Sequence, residues 1–409
     1  MAFLAIFELI KNLIPKLHKI YIIHLTFINQ ESLQSHMNFI IFFSFFIIVF
    51  AFQTLIIKKR LINKLDFTYK TKKYLSLILY ITFLGVILYP MARYFPVVPN
   101  WLYFLLSLPI GVIFLTFMIT LLHEIISFGI SKTKYTKNRR EFFKKGLDIG
   151  AISLVLATNA KAIDNARDIE LELVDVKINN LALPYTIIQI SDIHIGGLIN
   201  KNFIKELVEK INILNGDIVV ITGDLVDTKL EFAAAALNEL KNIKSKYGTY
   251  FIVGNHEYFH GVKPIIEYVN SFGIKTLENE NVYIGEKDKG FYLCGVYDRF
   301  GFKYGAYEPD INKALENIEN SPTILLAHQP KYIKELETTK GIDLILCGHT
   351  HGGQIFPFNF LVKLEQPYVK GLHTHNEFTQ VYVNKGTGFW GPPMRLGASS
   401  EITVLKLSS

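Results

Sequence analysis

The stretch IIQISDIHIG, residues 187–196, reads as a buried strand that stops where Asp192 and His194 begin. Ile187, Ile188 and Ile190 supply the apolar, β-branched run of a central strand, and the polar Asp-Ile-His breaks that run at one end. In extended backbone, residues i and i+2 point the same way, so Asp192 and His194 can converge on one cation. A lone D-x-H triplet arises by chance in many chains. This one is not alone.

Four more apolar runs end in the same manner. GDIVVITGDLVD (216–227) carries Asp224 and Asp227, and FIVGNHE (251–257) carries Asn255, His256 and Glu257. ILLAHQP (324–330) supplies His328, and LILCGHTHGGQ (344–354) supplies His349 and His351. Ligands of open α/β sheets bind beyond the strand ends, so these side chains are expected at one site. Carboxylate, carboxamide and imidazole donors without thiolate suit divalent Mn, Fe or Zn. They outnumber the needs of one ion, and two ions bridged by a carboxylate form the clamp used in phosphoryl displacement.

These five blocks resemble the calcineurin-like metallophosphoesterases, whose pattern is D-x-H, G-D-x-x-D, G-N-H-[DE], H and G-H-x-H. The likeness covers residues 187–407. It implies an α/β four-layer (αββα) sandwich, two sheets flanked by helices, and phosphoester hydrolysis by hydroxide formed at two metals. It further implies that Asp192, His194, Asp224 and His351 hold one metal, that Asp224, Asn255, His328 and His349 hold the other, and that Asp224 bridges them. His256 would protonate the leaving oxygen and Asp227 would hold its second ring nitrogen. Arg299 and Arg395 are candidate phosphate contacts. Gly352-Gly353-Gln354 and the tail YVNKGTGFWGPPMRLGASSE (382–401) narrow the likeness to the membrane-anchored bacterial branch. Thr228-Lys229 after Asp227 departs from the protein-phosphatase branch, which has Arg-Gly there, and argues against a phosphoprotein substrate.

The rest of the chain fits a membrane anchor. Half of the 409 residues are hydrophobic, and the mean hydropathy is +0.26. Residues 1–163 hold 19 Lys+Arg against 6 Asp+Glu, leaving 24 against 30 for the remainder. The net charge of +7 therefore sits in the N-terminal part, and no nucleic-acid partner is expected. We expect an extension at 1–36, a membrane region at 37–163 and the catalytic domain at 164–409. Clear spans are expected at 37–57, 74–89 and 101–128, with a weaker fourth at 149–160. Met37 stands directly before the first span and is the expected start of the working protein.

Lysines and arginines crowd 58–73 and 132–145, whereas 90–100 carries only Arg93. The positive-inside rule then puts the basic loops in the cytoplasm and, if the fourth run crosses, the catalytic domain outside. NRREFFK (138–144) with Ala160-Lys161-Ala162 resembles a twin-arginine export signal, which would make the export machinery a partner; plain loop charge is the alternative. Cys294 and Cys347 lie in strand-like runs and are expected to be buried thiols. Helices are expected at 201–212, 229–243, 263–272 and 310–319.

The expected function is hydrolysis of a phosphodiester, pyrophosphate or phosphomonoester, on a lipid-linked or envelope substrate. Two alternatives are a transporter or sensor whose phosphoesterase domain only binds, and a nucleotide-directed phosphodiesterase. The spans contain almost no ionisable residues apart from His123 and Glu124, which weakens the transporter reading.

Overall fold

The structure is a computed structural model that describes residues 30–94 and 98–409. The extension expected at 1–36 falls outside these residues up to position 29. The chain divides into two compact units, Met1–Gln53 and Thr54–Ser409. Helix α1, Gln30–Ile56, begins before Met37 and exposes Ile41, Phe42, Phe45 and Ile48, as a lipid-facing helix does.

In the second unit, α2 (Tyr69–Tyr94), α3 (Asn100–Ser131) and α4 (Lys137–Asn165) precede the sheets. Together with α1 they make four helices long and apolar enough to cross a membrane. The run at 149–160 is not the whole fourth segment: it is the middle of a 29-residue helix that starts within the basic loop, because 137–148 contains no breaker of helical structure other than Gly146. Leu61 and Leu65 pack with Ile119 of α3 and Ala151 of α4. Two polar pairs cross between segments of this region. His123 Nε2 lies 2.8 Å from Asp148 Oδ1, and the Lys64 ammonium is 2.8 Å from Glu124.

Two six-stranded sheets follow, with orders β1-β12-β2-β3-β4-β5 and β10-β11-β9-β8-β7-β6. Strands β2 (Tyr185–Ile190), β3 (Ile218–Thr222) and β4 (Thr249–Ile252) run parallel, as do β7 (Phe291–Gly295), β8 (Thr323–Leu326), β9 (Leu344–Cys347) and β11 (Gln380–Val383). All five site-bearing runs are among these strands, so their C-terminal ends open to one edge. β12 (Ser400–Ser408) joins β2 antiparallel and carries β1 (Ile169–Lys177) beside it.

Burial explains why these strands read as unbroken apolar runs. Ile187, Val220, Ile252, Leu326, Leu346 and Leu405 fill the space between the sheets. On the first sheet, neighbours in sequence such as Ile188 and Ile221 turn outward to α5 (Lys201–Ile213), α6 (Leu230–Leu237) and α8 (Val262–Asn270), and on the second Leu325 and Ile345 pack with Ala314, Tyr332 and Ile333. A strand covered on both faces needs apolar residues at every position. Cys294 and Cys347 are buried and free.

Some elements differ from expectation. The helix expected at 310–319 is only four residues, Ile311–Ala314, because Asn317 adopts a left-handed φ of 58°. Short strands β5 (Lys275–Thr276), β6 (Glu280–Ile284) and β10 (Gly371–Thr374), and the helices α7 (Asn255–His260) and α9 (Asn359–Glu365), lack a periodic signature.

Candidate metal centre

Asp192, His194, Asp224, His349 and His351 all take positive φ, between 50° and 70°. Such backbone is costly outside glycine and is typical of functional sites, where surrounding contacts hold it. Here each strand ends in a sharp turn that aims the side chain over the sheet edge. Gly223 and Gly348 let the turns approach one another: a Cβ on Gly223 would lie 2.4 Å from His328 Nδ1, and one on Gly348 2.3 Å from Asp192 Oδ2.

Three groups of side chains have ligand atoms close enough to share an ion: Asp192, His194 and His351; Asp224, His328 and His349; and His194, Asp227 and His256. His194 Nε2 and His351 Nε2 are 3.0 Å apart, and His351 Nε2 is 3.4 Å from Asp192 Oδ1. His328 Nε2 is 3.2 Å from Asp224 Oδ2. Asp224 stands centrally, 3.8 Å from His194 Nε2 and 3.9 Å from His256 Nε2 through the same oxygen.

The donor set fits divalent metals on this structure's own details. His328 Nδ1 donates to the Thr222 carbonyl at 2.7 Å, which makes Nε2 the nitrogen that faces the site, and that atom is buried without a hydrogen-bond partner. Asn255 Oδ1 is likewise buried and unpartnered. An orphaned imidazole nitrogen 3.2 Å from the Asp224 carboxylate and an orphaned carboxamide oxygen are what a cation would satisfy.

Electrostatics separate the carboxylates and the imidazoles. Burial pushes Asp192 up to about 6, against the opposing pull of His328. Burial also works against the charge of Asp224 and Asp227, yet His328 and His256 hold Asp224 well below the usual range, and His256 and Arg93 do the same for Asp227. Burial pushes His194 down to about 3, with His256 adding to it, and His349 down to about 3, with His328 adding to it. His256 goes the other way, up to about 9, because Asp224 and Asp227 outweigh its burial. Its Nδ1 lies 2.7 Å from Asp227 Oδ1, and its backbone N–H donates to Asp224 Oδ1 at 2.8 Å.

Neither candidate arginine presents a free guanidinium to this site. Arg299 is committed to Glu335, with Nε donating at 2.9 Å. Arg395 is fully buried and donates to the carbonyls of Gly388, Lys385 and Ala398, while its Nη2 is 3.2 Å from His351 Nδ1. It knits the 385–398 loop behind the site, and no N–H is left over for a phosphate. Three residues with contacts here escaped the sequence reading of roles. Glu257 accepts the N–H groups of Gly254, Val226 and Asp224 at 2.6, 2.9 and 3.1 Å. Arg93, near the end of α2, pairs with Asp227 at 2.8 Å. Trp390 sets its ring 5.9 Å from that of His256. Glu257 sits inside the G-N-H-E block and could have been singled out there; Arg93 had no local signal.

A family model, the calcineurin-like phosphoesterase, matches residues 185–353. A metallophosphoesterase of Helicobacter pylori (strain J99) is 41% identical over 313 residues, which cover 76% of this chain and 84% of the relative. One from Campylobacter jejuni is 35% identical over 378 residues, 91% of this chain and 99% of the relative. A Bos taurus protein named as a transmembrane protein with metallophosphoesterase domain is 41% identical over 234 residues, 54% of this chain and 53% of its own length. Among solved structures, one from Thermus thermophilus matches with a TM-score of 0.34 and 14% identity, covering 50% of this chain and 90% of that one.

The chain thus belongs to the calcineurin-like metallophosphoesterases, a family of dinuclear-metal-dependent phosphoester hydrolases. It is a membrane protein of that family and a metal-dependent phosphoric ester hydrolase.

Proposed function

We propose that the protein is a membrane-anchored phosphodiesterase or pyrophosphatase acting on a lipid-linked or envelope substrate. One cation would be held by Asp192, His194, Asp224 and His351, and the other by Asp224, Asn255, His328 and His349. The observation that carries this reading is the convergence of the ligand groups around Asp224, with His328 Nε2 and Asn255 Oδ1 left unpartnered. Two divalent ions there would supply Lewis acidity toward the phosphate oxygens and lower the pKa of water.

The chain's own groups handle the departing side. His256, its Nδ1 held by Asp227, keeps a proton at Nε2 for the leaving oxygen. The lipid-linked substrate is favoured by the site's position: a cavity of about 330 Å³ runs over His194 and Asp227 and is walled on one side by Arg93 and Tyr103 of the membrane helices.

We read residues 37–163 as the membrane region and 164–409 as the catalytic domain. Contacts of Arg93, Tyr103 of α3 and Ala162 of α4 with the catalytic domain support a topology in which these three helix ends lie on its side of the bilayer. The basic segments 58–73 and 132–145 are then opposite, and the positive-inside rule puts the domain outside the cytoplasm. Arg139 and Arg140, in the first turns of α4, are better read as plain positive charge than as an export signal, because Ala160-Lys161-Ala162 continues the same helix and Ala162 is fully buried.

The test is hydrolysis by the full chain with Mn²⁺, offered a panel of phosphomonoesters, phosphodiesters and pyrophosphates, each free and lipid-linked in mixed micelles. Preference for lipid-linked diesters or pyrophosphates is expected. Equal turnover of free and lipid-linked forms would remove the substrate proposal.

A further inference from the structure

We propose that Arg93, carried by membrane helix α2, is a positioning residue for the His256–Asp227 pair, which makes the membrane region part of the catalytic apparatus. The inference rests on the reading of His256 as proton donor to the leaving group. It concerns a residue that lies outside the matched family segment and more than 100 residues from either partner in sequence.

The geometry is specific. Arg93 Nη2 donates to Asp227 Oδ1 at 2.8 Å, and the same oxygen receives His256 Nδ1 at 2.7 Å. His260 Nε2 reaches it at 3.4 Å. The other oxygen, Oδ2, stands 4.0 Å from His194 Nδ1, a buried nitrogen with no hydrogen-bond partner. Asp227 therefore has two possible directions in which to spend its charge. Without Arg93, nothing on the α2 side holds the carboxylate against rotation toward His194, and His256 loses its fixed acceptor. Outer-shell partners of this kind orient the groups that do the chemistry.

Arg93 is itself held. Its Nη1 donates to the Tyr89 hydroxyl at 3.3 Å, and its guanidinium lies 5.7 Å from the centre of the Trp390 ring, which also flanks His256. Tyr89 packs edge-on to Tyr103 at 5.9 Å, and Tyr103 fills the space above Gly197, where a Cβ would lie 2.8 Å from its ring. Deeper along α3, Leu115 packs with Ala162, Ile355 and Met394. The two helices are thus seated on the catalytic domain at several points, and a tether needs no further ion pair at the dyad. What the ion pair adds is charge and direction at the carboxylate that orients His256.

The experiment is a double-mutant cycle on the full-length, Mn²⁺-loaded protein in nanodiscs: wild type, Arg93→Ala, His256→Ala and the double variant, with Arg93→Lys as the conservative change. Each is assayed on an alkyl phosphate ester and on a p-nitrophenyl ester. We expect Arg93→Ala to lose roughly tenfold to a hundredfold in kcat on the alkyl ester and little on the p-nitrophenyl ester, and Arg93→Lys to recover part of the loss. In the His256→Ala background Arg93→Ala should cost less than about threefold, within the usual limits of such cycles. Losses that multiply, or that fall equally on both esters, would overturn the proposal. A second readout does not need turnover: in protein labelled with ¹⁵N-histidine and loaded with diamagnetic Zn²⁺ instead of Mn²⁺, the hydrogen-bonded Nδ1 proton of His256 should give a downfield signal in wild type and Arg93→Lys that is lost in Arg93→Ala. An unchanged signal in Arg93→Ala overturns the proposal even if every ester proves a poor substrate. Inactivity of wild type on the whole panel would instead remove the proposed function. Should Arg93→Ala fail to fold, Arg93→Gln takes its place in both readouts, and an alkyl-ester rate and Nδ1 signal unchanged from wild type in that variant overturn the proposal.

Discussion

His194 Nε2 and His351 Nε2 face each other at 3.0 Å, their rings stacked at 21°. Burial pushes His194 down to about 3 and His351 well below its usual value, which favours the neutral imidazole form that metal ligation requires. The expected consequence is that Asp224→Asn lowers bound metal and abolishes hydrolysis, since Asp224 neighbours both ligand groups, whereas His256→Ala keeps its metal. Elemental analysis of the purified variants checks this. Two full equivalents in Asp224→Asn would sink the ligand assignment. Chelation should also lower the unfolding temperature, because ligand binding to the native state alone adds stability.

Loss of the proton donor should depend on what leaves. His256→Ala is expected to slow alkyl esters by at least about a hundredfold while sparing p-nitrophenyl esters, whose phenolate departs without a proton. Steady-state rates on both ester types decide it, and equal losses would assign His256 to positioning.

Glu257 is fully buried and gathers three backbone N–H groups from two of the ligand-bearing turns. Glu257→Ala strands all three, at about 1–3 kcal/mol for each amide left unpartnered. A marked drop in thermal stability with loss of metal is expected. A variant that melts with wild type would show that water replaces the carboxylate at no cost.

Burial pushes the Cys294 thiol up to about 12 and Cys347 higher still. A raised thiol pKa means less thiolate, and thiolate is the nucleophile. At pH 8 the native protein should resist iodoacetamide and become labelled at both positions only after denaturation, as read by mass spectrometry. Rapid native labelling would contradict the inter-strand packing.

Topology yields a parity prediction. Arg93 and Tyr103 contact the catalytic domain, so a cysteine placed at Asn100 must be reached from the same side of the bilayer as one placed at Lys246. Cysteines at Lys73 or Lys134 should be reached from the other. Impermeant maleimide on sealed vesicles reads both, and alkaline phosphatase fused after Asn165 should be active. An inactive fusion with bright green fluorescent protein at the same point would put the domain in the cytoplasm and favour lipid precursors with a nucleotide headgroup.

From the sequence alone, the strand ends were legible because buried parallel strands need unbroken apolar residues, and an Asp, Asn or His that ends such a run stands out. The five blocks carry seven candidate ligands and His256 in local order, and the apolar lengths of α1 to α3 follow from what a bilayer requires. The length of α4 was less legible, since its first turns are basic and hide its helical character. Tertiary structure alone decided the partners of the arginines. Arg299 and Arg395 look like phosphate contacts in a list of cations but are spent on Glu335 and on backbone carbonyls. Arg93 looks like a stray loop charge, yet the fold brings it 134 positions along the chain to Asp227. A cation's partner is set by which surfaces pack together, and no local spacing encodes that.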